Sequence, residues 1–148
     1  MVSFIDHDVI ALSKLDSADH DRVKNQLLRQ LPSSFAVVDL PNTFCDEYWR
    51  GYTSAVGLHV NSLLTDDYLY VPRFGRDPEN KKRGCGLKED EDALGVIIAN
   101  TSKTIVPVDV PYRIARMGGS VRCLAWQVKG PVANRLIAAA KEFADTNR

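Results

Sequence analysis

The sequence predicts an α+β fold made of two successive strand-strand-helix-strand units, one further strand and a C-terminal helix. Three observations predict it. Short apolar runs come in pairs around turn residues. Each pair is followed by apolar residues at helical spacing and then by one more short apolar run. The last twenty residues carry a single amphipathic stripe. With 148 residues, 45% of them apolar and 26% charged, the chain has the composition of a single domain with one core.

The first unit, about residues 1–45, opens with Phe4-Ile5 and residues 9–12 on either side of Asp6-His7-Asp8, a strand pair around a tight turn. Val23, Leu27, Leu28 and Leu31 then mark one face of a helix over 19–31, with Ser17 or Asp19 as its cap and Pro32 as its stop. Residues 35–40 form a buried-type strand closed by Pro41-Asn42.

The second unit, about 46–110, has the same order with little shared residue identity. Residues 52–64 are rich in strand formers, and 68–71 follow after Thr65-Asp66-Asp67. Leu94, Val96, Ile97 and Ile98 predict a helix over 92–100. Residues 104–108 predict a strand whose Pro107 suits a sheet edge. Residues 73–92, with Lys81-Lys82-Arg83 offset by Glu89-Asp90-Glu91-Asp92, read as a solvated loop.

Two features close the chain. Gly118-Gly119-Ser120-Val121-Arg122-Cys123 reads as a strand that delivers a cysteine. After Gly130-Pro131, one helical face collects Val132, Leu136, Ile137, Ala140, Phe143 and Ala144. A face of that kind has to be covered, and so do open strand edges. The expectation is a homo-oligomer paired through the terminal helix or the unit edges.

Composition excludes several function classes. Nineteen basic and nineteen acidic residues cancel, which leaves no field to hold nucleic acid or an anionic membrane. No apolar run approaches the roughly 18 residues of a membrane span, and the first residues lack a basic leader, so a cytoplasmic location is expected. Cys45, Cys85 and Cys123 are odd in number and widely spaced, without a CxxC pair. That favours free thiols over disulfides or a zinc site, and no metal or cofactor is expected. His7 in its turn and His20 near a helix start read as exposed. His59 lies two residues before Asn61 and would share its face of the 52–64 strand, which makes it the one histidine worth testing in catalysis. Trp49 and Trp126 read as packing or interface residues.

Four pieces in order resemble a known family: residues 52–61 with His59-Val60-Asn61, residues 69–75 with Val71-Pro72-Arg73-Phe74-Gly75, Asp92-Ala93, and Gly118-Gly119 before Cys123. Over about residues 1–128 they resemble the C-terminal half of agmatine deiminases, in the agmatine deiminase and peptidyl-arginine deiminase family of the pentein superfamily. Arginine deiminases and amidinotransferases also place their cysteine after a glycine-rich entry. The resemblance implies a partial ring of ββαβ modules, a partial α/β propeller, around a pocket for a small guanidino compound. Gly118, Gly119 and Asn61 would meet the substrate. Cys123 would attack the guanidinium carbon, an amine would leave, and water or another amine would resolve the thiouronium adduct.

Two departures stand against activity. Arg122 and Ala125 occupy places where the family has histidine and threonine. The family's glycine-histidine-x-aspartate motif and its guanidinium-binding carboxylates precede the part matched. One reading is therefore a truncated relative with a binding or assembly role. The other is a complete deiminase or amidinotransferase that uses Cys123.

Overall fold

The computed structural model describes residues 1–14, 18–43, 45, 47–125, 127–128 and 130–146. The amides of Ile5 and Asp6 both reach the Val9 carbonyl, at 2.9 and 3.3 Å, and fold β1 (Val2–Phe4) against β2 (Val9–Ser13) as an antiparallel hairpin. Helix α1 (Ala18–Gln30) returns the chain, and β3 (Ala36–Leu40) pairs parallel to β2, giving the order β1-β2-β3. A parallel neighbour needs such a crossover.

Because α1 begins at Ala18, Asp19 lies in its first turn, where a carboxylate suits the helix dipole, and does not cap it. Ser17, the other expected cap, lies outside the described residues. His20 is buried, against the expectation of exposure. Its Nε2 sits 3.1 Å from Asp39 Oδ1, and Lys24 Nζ donates to Asp39 Oδ2 at 2.7 Å, which ties α1 to β3. Burial pushes the Asp39 carboxyl up, but Lys24 and His20 outweigh it and hold it below the usual range.

A small hairpin, β4 (Tyr48–Trp49) with β5 (Tyr52–Thr53), turns on Arg50-Gly51. Trp49 stands in it with the Arg50 guanidinium 4.8 Å from its ring centre, while Trp126 lies outside the described residues. The strand expected over 52–64 ends at Thr53. The amides of Leu58, His59 and Asn61 donate to the carbonyls of Ala55, Gly57 and Leu58, so the segment runs through consecutive turns. Gly57 is the physical reason: its φ is +77°, and a Cβ there would lie 2.4 Å from the Thr43 carbonyl oxygen.

Pairing resumes with β6 (Leu63–Leu64) antiparallel to β7 (Tyr68–Arg73), in the register Leu63 to Tyr70. Helices α2 (Pro78–Lys82) and α3 (Leu87–Ile98) lead to β8 (Thr104–Asp109), parallel to β7. The order β6-β7-β8 repeats that of the first sheet and puts Pro107 on an edge strand, as expected.

The predicted solvated loop at 73–92 is instead folded. Asp77 accepts the Glu79 amide at 2.8 Å to start α2. Buried Asn80 donates to the carbonyls of Phe74 and Val110, at 3.0 and 2.9 Å. Helix α3 starts five residues earlier than the apolar spacing suggested, so the acidic run lies on a helix and turns Asp90 inward.

Ile5, Ala11, Leu40, Val60, Leu69, Val71, Ala93 and Ile97 form one buried cluster that draws on both sheets. Each large aliphatic side chain among them contributes about 1.5–3 kcal/mol. Asp6 adds a polar tie between the units, accepting the Ser102 amide at 2.6 Å and hydroxyls from Thr101 and Ser102. Cys45, Val56, Phe74, Cys85, Val110 and Ala115 make a second cluster under α4 (Tyr112–Ala115).

Beyond α4 the expected Cys123 strand does not form: residues 122–124 make one 3₁₀ turn. Helix α5 (Pro131–Thr146) buries none of its residues, so the apolar face expected to be covered stays exposed within one chain. Among the described residues no helix is long and apolar enough to cross a membrane.

Candidate functional site

Gly118 ends the turn after α4, its amide donating to the Ala115 carbonyl at 3.0 Å with φ at +81°. A Cβ at that position would stand 3.1 Å from the Thr53 carbonyl oxygen, so this half of the double glycine is required by both the turn and the close approach to β5. Gly119 sits over Ile114. The next residues close on themselves: the Leu124 amide points to the carbonyls of Ser120 and Val121. Those local bonds satisfy the backbone that a strand would have offered to a neighbour.

The turn docks on residues 54–62. The Arg122 amide donates to the Asn61 carbonyl at 3.3 Å, and Asn61 Nδ2 donates to Cys123 Sγ at 3.2 Å. Asn61 is buried and Cys123 is exposed. Two of the residues singled out from the sequence thus meet, although neither stands on a strand. Arg122 reaches Ser3 Oγ at 3.3 Å and helps to line a pocket of about 310 Å³ between β1 and β6, with Asp6, His7 and Ser62. The Ser102 amide holds the Asp6 carboxyl well below the usual carboxylate range, so the pocket has an ionised acid and a guanidinium on its walls. His7 is exposed in its turn, as expected, 3.1 Å from Lys103 Nζ. Gly118 lines a separate cavity of about 260 Å³ with Asn42, Thr43, Cys45, Thr53 and Leu58.

His59 is placed elsewhere. It is fully buried, its Nε2 is 2.9 Å from Asp90 Oδ1, and its ring packs edge-on against Phe74 at 5.3 Å. Asp90 also accepts the amides of Phe74 at 2.9 Å and Gly75 at 2.7 Å. The expectation of a shared strand face with Asn61 fails because 54–62 is a series of turns, where alternation does not apply.

Cys85 joins this node: one ligand-type atom each from His59, Cys85 and Asp90 lies within 4.8 Å of the others. Burial, with the Asp90 charge beside it, pushes the Cys85 thiol up to about 12, so it is neutral at physiological pH. The donor types could hold a divalent ion. As the chain stands, three N–H donors occupy the Asp90 carboxylate. Cysteine spacing missed this cluster because Asp90 sits in an acidic run that looks solvated. The one sequence signal was its helical spacing to Ala93 and Ile97, which are buried with it.

No protein-family model and no curated protein matches this chain. Among solved structures, C. jejuni agmatine deiminase is similar with a TM-score of 0.58 and 22% identity, over 88% of this chain and 38% of that one. The agmatine deiminase of Enterococcus faecalis is similar with a TM-score of 0.50 and 16% identity, over 83% of this chain and 37% of that one. The chain spans less than two fifths of the length of either structure. The likeness is one of fold: the mixed α+β arrangement resembles part of these two agmatine deiminase structures.

Proposed function

We propose that this chain is a relative of the guanidino-group-modifying enzymes that binds or assembles and does not turn a guanidine over on its own. Its two ββαβ modules, about 1–45 and 46–110, would form part of a pentein-type propeller, in a cytoplasmic homo-oligomer. One observation carries the reading: the Cys123 sulfur is exposed and held by the Asn61 amide, while His59 is spent on Asp90 behind Phe74. The Asn61 N–H fixes where the sulfur stands, within reach of a ligand from solvent. Expelling ammonia needs a proton delivered to the leaving nitrogen. Among the described residues no histidine or carboxylate is hydrogen-bonded to Cys123. A small guanidino ligand would sit against the exposed Cys123 sulfur, with Gly118-Gly119 setting the approach of its turn.

The same Asn61–Cys123 contact favours a second reading, an active deiminase or amidinotransferase working through a thiouronium adduct with its acid or base supplied from elsewhere. Incubation with agmatine and arginine, assayed for ureido product, and with a haloacetamidine, followed by mass spectrometry, separates the two. The binding reading expects no ureido product and a Cys123 adduct that excess agmatine slows. Ureido product that disappears in Cys123→Ala would establish the enzyme reading, and an adduct indifferent to agmatine would remove the guanidino ligand.

A further inference from the structure

We propose that α5 is a self-association element, pairing antiparallel with α5 of a second copy of this chain. The inference rests on the oligomer in the reading above and is independent of its ligand. An isolated helix of 16 residues, about 24 Å long, is marginal in water and draws its stability from packing an apolar face. In α5 that face is largely exposed: Val132, Leu136 and Ile137 are 55, 50 and 54% exposed.

The pattern specifies the kind of cover. Val132, Leu136, Ala139 and Phe143 recur at intervals of four, three and four residues, the spacing of a two-helix seam. On one side of the seam stand Ala133 and Ala140, small enough to let a second helix come close. On the other side stand Arg135 and Glu142, seven residues apart. A two-fold axis across the helix lays the charged side against its own copy in reverse, so Arg135 faces Glu142 of the partner subunit at both ends of the pair. A parallel pair would set Arg135 against the partner's Ala140 and leave the attraction between Arg135 and Glu142 unused.

Opposed helix dipoles favour the antiparallel arrangement as well. Arg135 and Lys141 balance Glu142 and Asp145, so nothing in α5 draws it to an anionic membrane. Two helices of this length make a small interface, of the size typical of weak, reversible association.

Sedimentation velocity of the full chain over a concentration series, without ligand, tests this. Leu136→Asp should raise the dimer dissociation constant by about tenfold or more. Arg135→Glu or Glu142→Arg alone should raise it about threefold to tenfold, and the double exchange should return it to within about twofold of the parent. Since no described residue of α5 is buried within its own chain, circular dichroism and the melting transition of these variants should match the parent monomer's, so loss of pairing is readable apart from loss of folding. The proposal fails if the chain is monomeric throughout or if Leu136→Asp leaves association unchanged. It also fails if the double exchange is no better than the single ones, or if monomers instead co-sediment with anionic vesicles. None of these outcomes bears on whether Cys123 binds a guanidine.

Discussion

At 59, 85 and 90 a histidine, a cysteine and an aspartate lie buried within 4.8 Å of one another, and at 61 and 123 an asparagine amide meets an exposed cysteine sulfur at 3.2 Å. The first region holds the richer set of side chains and has the less capacity left for chemistry. Backbone amides and His59 occupy the Asp90 carboxylate, burial keeps the Cys85 thiol neutral, and Phe74 closes the imidazole off. The second region is poorer in groups and open. Access to water separates the two regions, and residue type alone does not show it.

The largest effect belongs to the buried node. Asp90→Ala leaves two backbone amides and an imidazole N–H buried without an acceptor and should cost about 3–5 kcal/mol in urea unfolding. In the fraction that remains folded, alkylation of Cys123 should proceed at the parent rate. A loss below about 1 kcal/mol, or a changed alkylation rate, would show that the two regions are not the separate structural and open sites described.

Asp6 comes next, because it joins the units as Asp90 joins β7 to α3. Asp6→Asn should cost about 1–3 kcal/mol. The pH dependence has a definite sign. The folded-state pKa is depressed by the Ser102 amide, so the stabilisation is present above the ordinary aspartate pKa of about 3.9. It is lost progressively as pH falls below that value toward the folded pKa. The parent should therefore lose stability in acid more steeply than Asp6→Asn, and parallel curves would overturn the assignment.

The first sheet and the second hairpin were legible in the sequence because pairs of short apolar runs around Asp6-His7-Asp8 and Thr65-Asp66-Asp67 carry local turn chemistry. The resemblance to agmatine deiminases was legible because its pieces are short and ordered. Less legible was whatever depended on a distant approach. Gly57 breaks the 52–64 strand because Thr43 comes close to it, and Gly118 bends the chain beside Thr53. Single-residue periodicity does not register such encounters. Asp90 and His20 were assigned to solvent because charge in sequence does not reveal which member of a polar run is turned toward buried donors.

Gly118→Ala tests one of those approaches. A left-handed φ and a Cβ 3.1 Å from a carbonyl oxygen should together cost about 1–2 kcal/mol, measured by thermal melting. Because the same turn sets Cys123 against Asn61, the variant should also change the rate at which Cys123 is alkylated. A stable variant with unchanged alkylation would mean that the turn relaxes without moving the sulfur.

The smallest expected effect is at Cys123. Its side chain is exposed, and its one hydrogen bond among the described residues comes from an amide N–H that a serine hydroxyl accepts equally well. Cys123→Ser should therefore leave stability within about 0.5 kcal/mol of the parent. A residue retained for packing would be costly to replace, as Asp90 is. If Cys123→Ser instead destabilises the chain by more than about 1 kcal/mol, the sulfur is a structural contact of the 118–125 turn, and the case for a thiol facing a ligand loses its support.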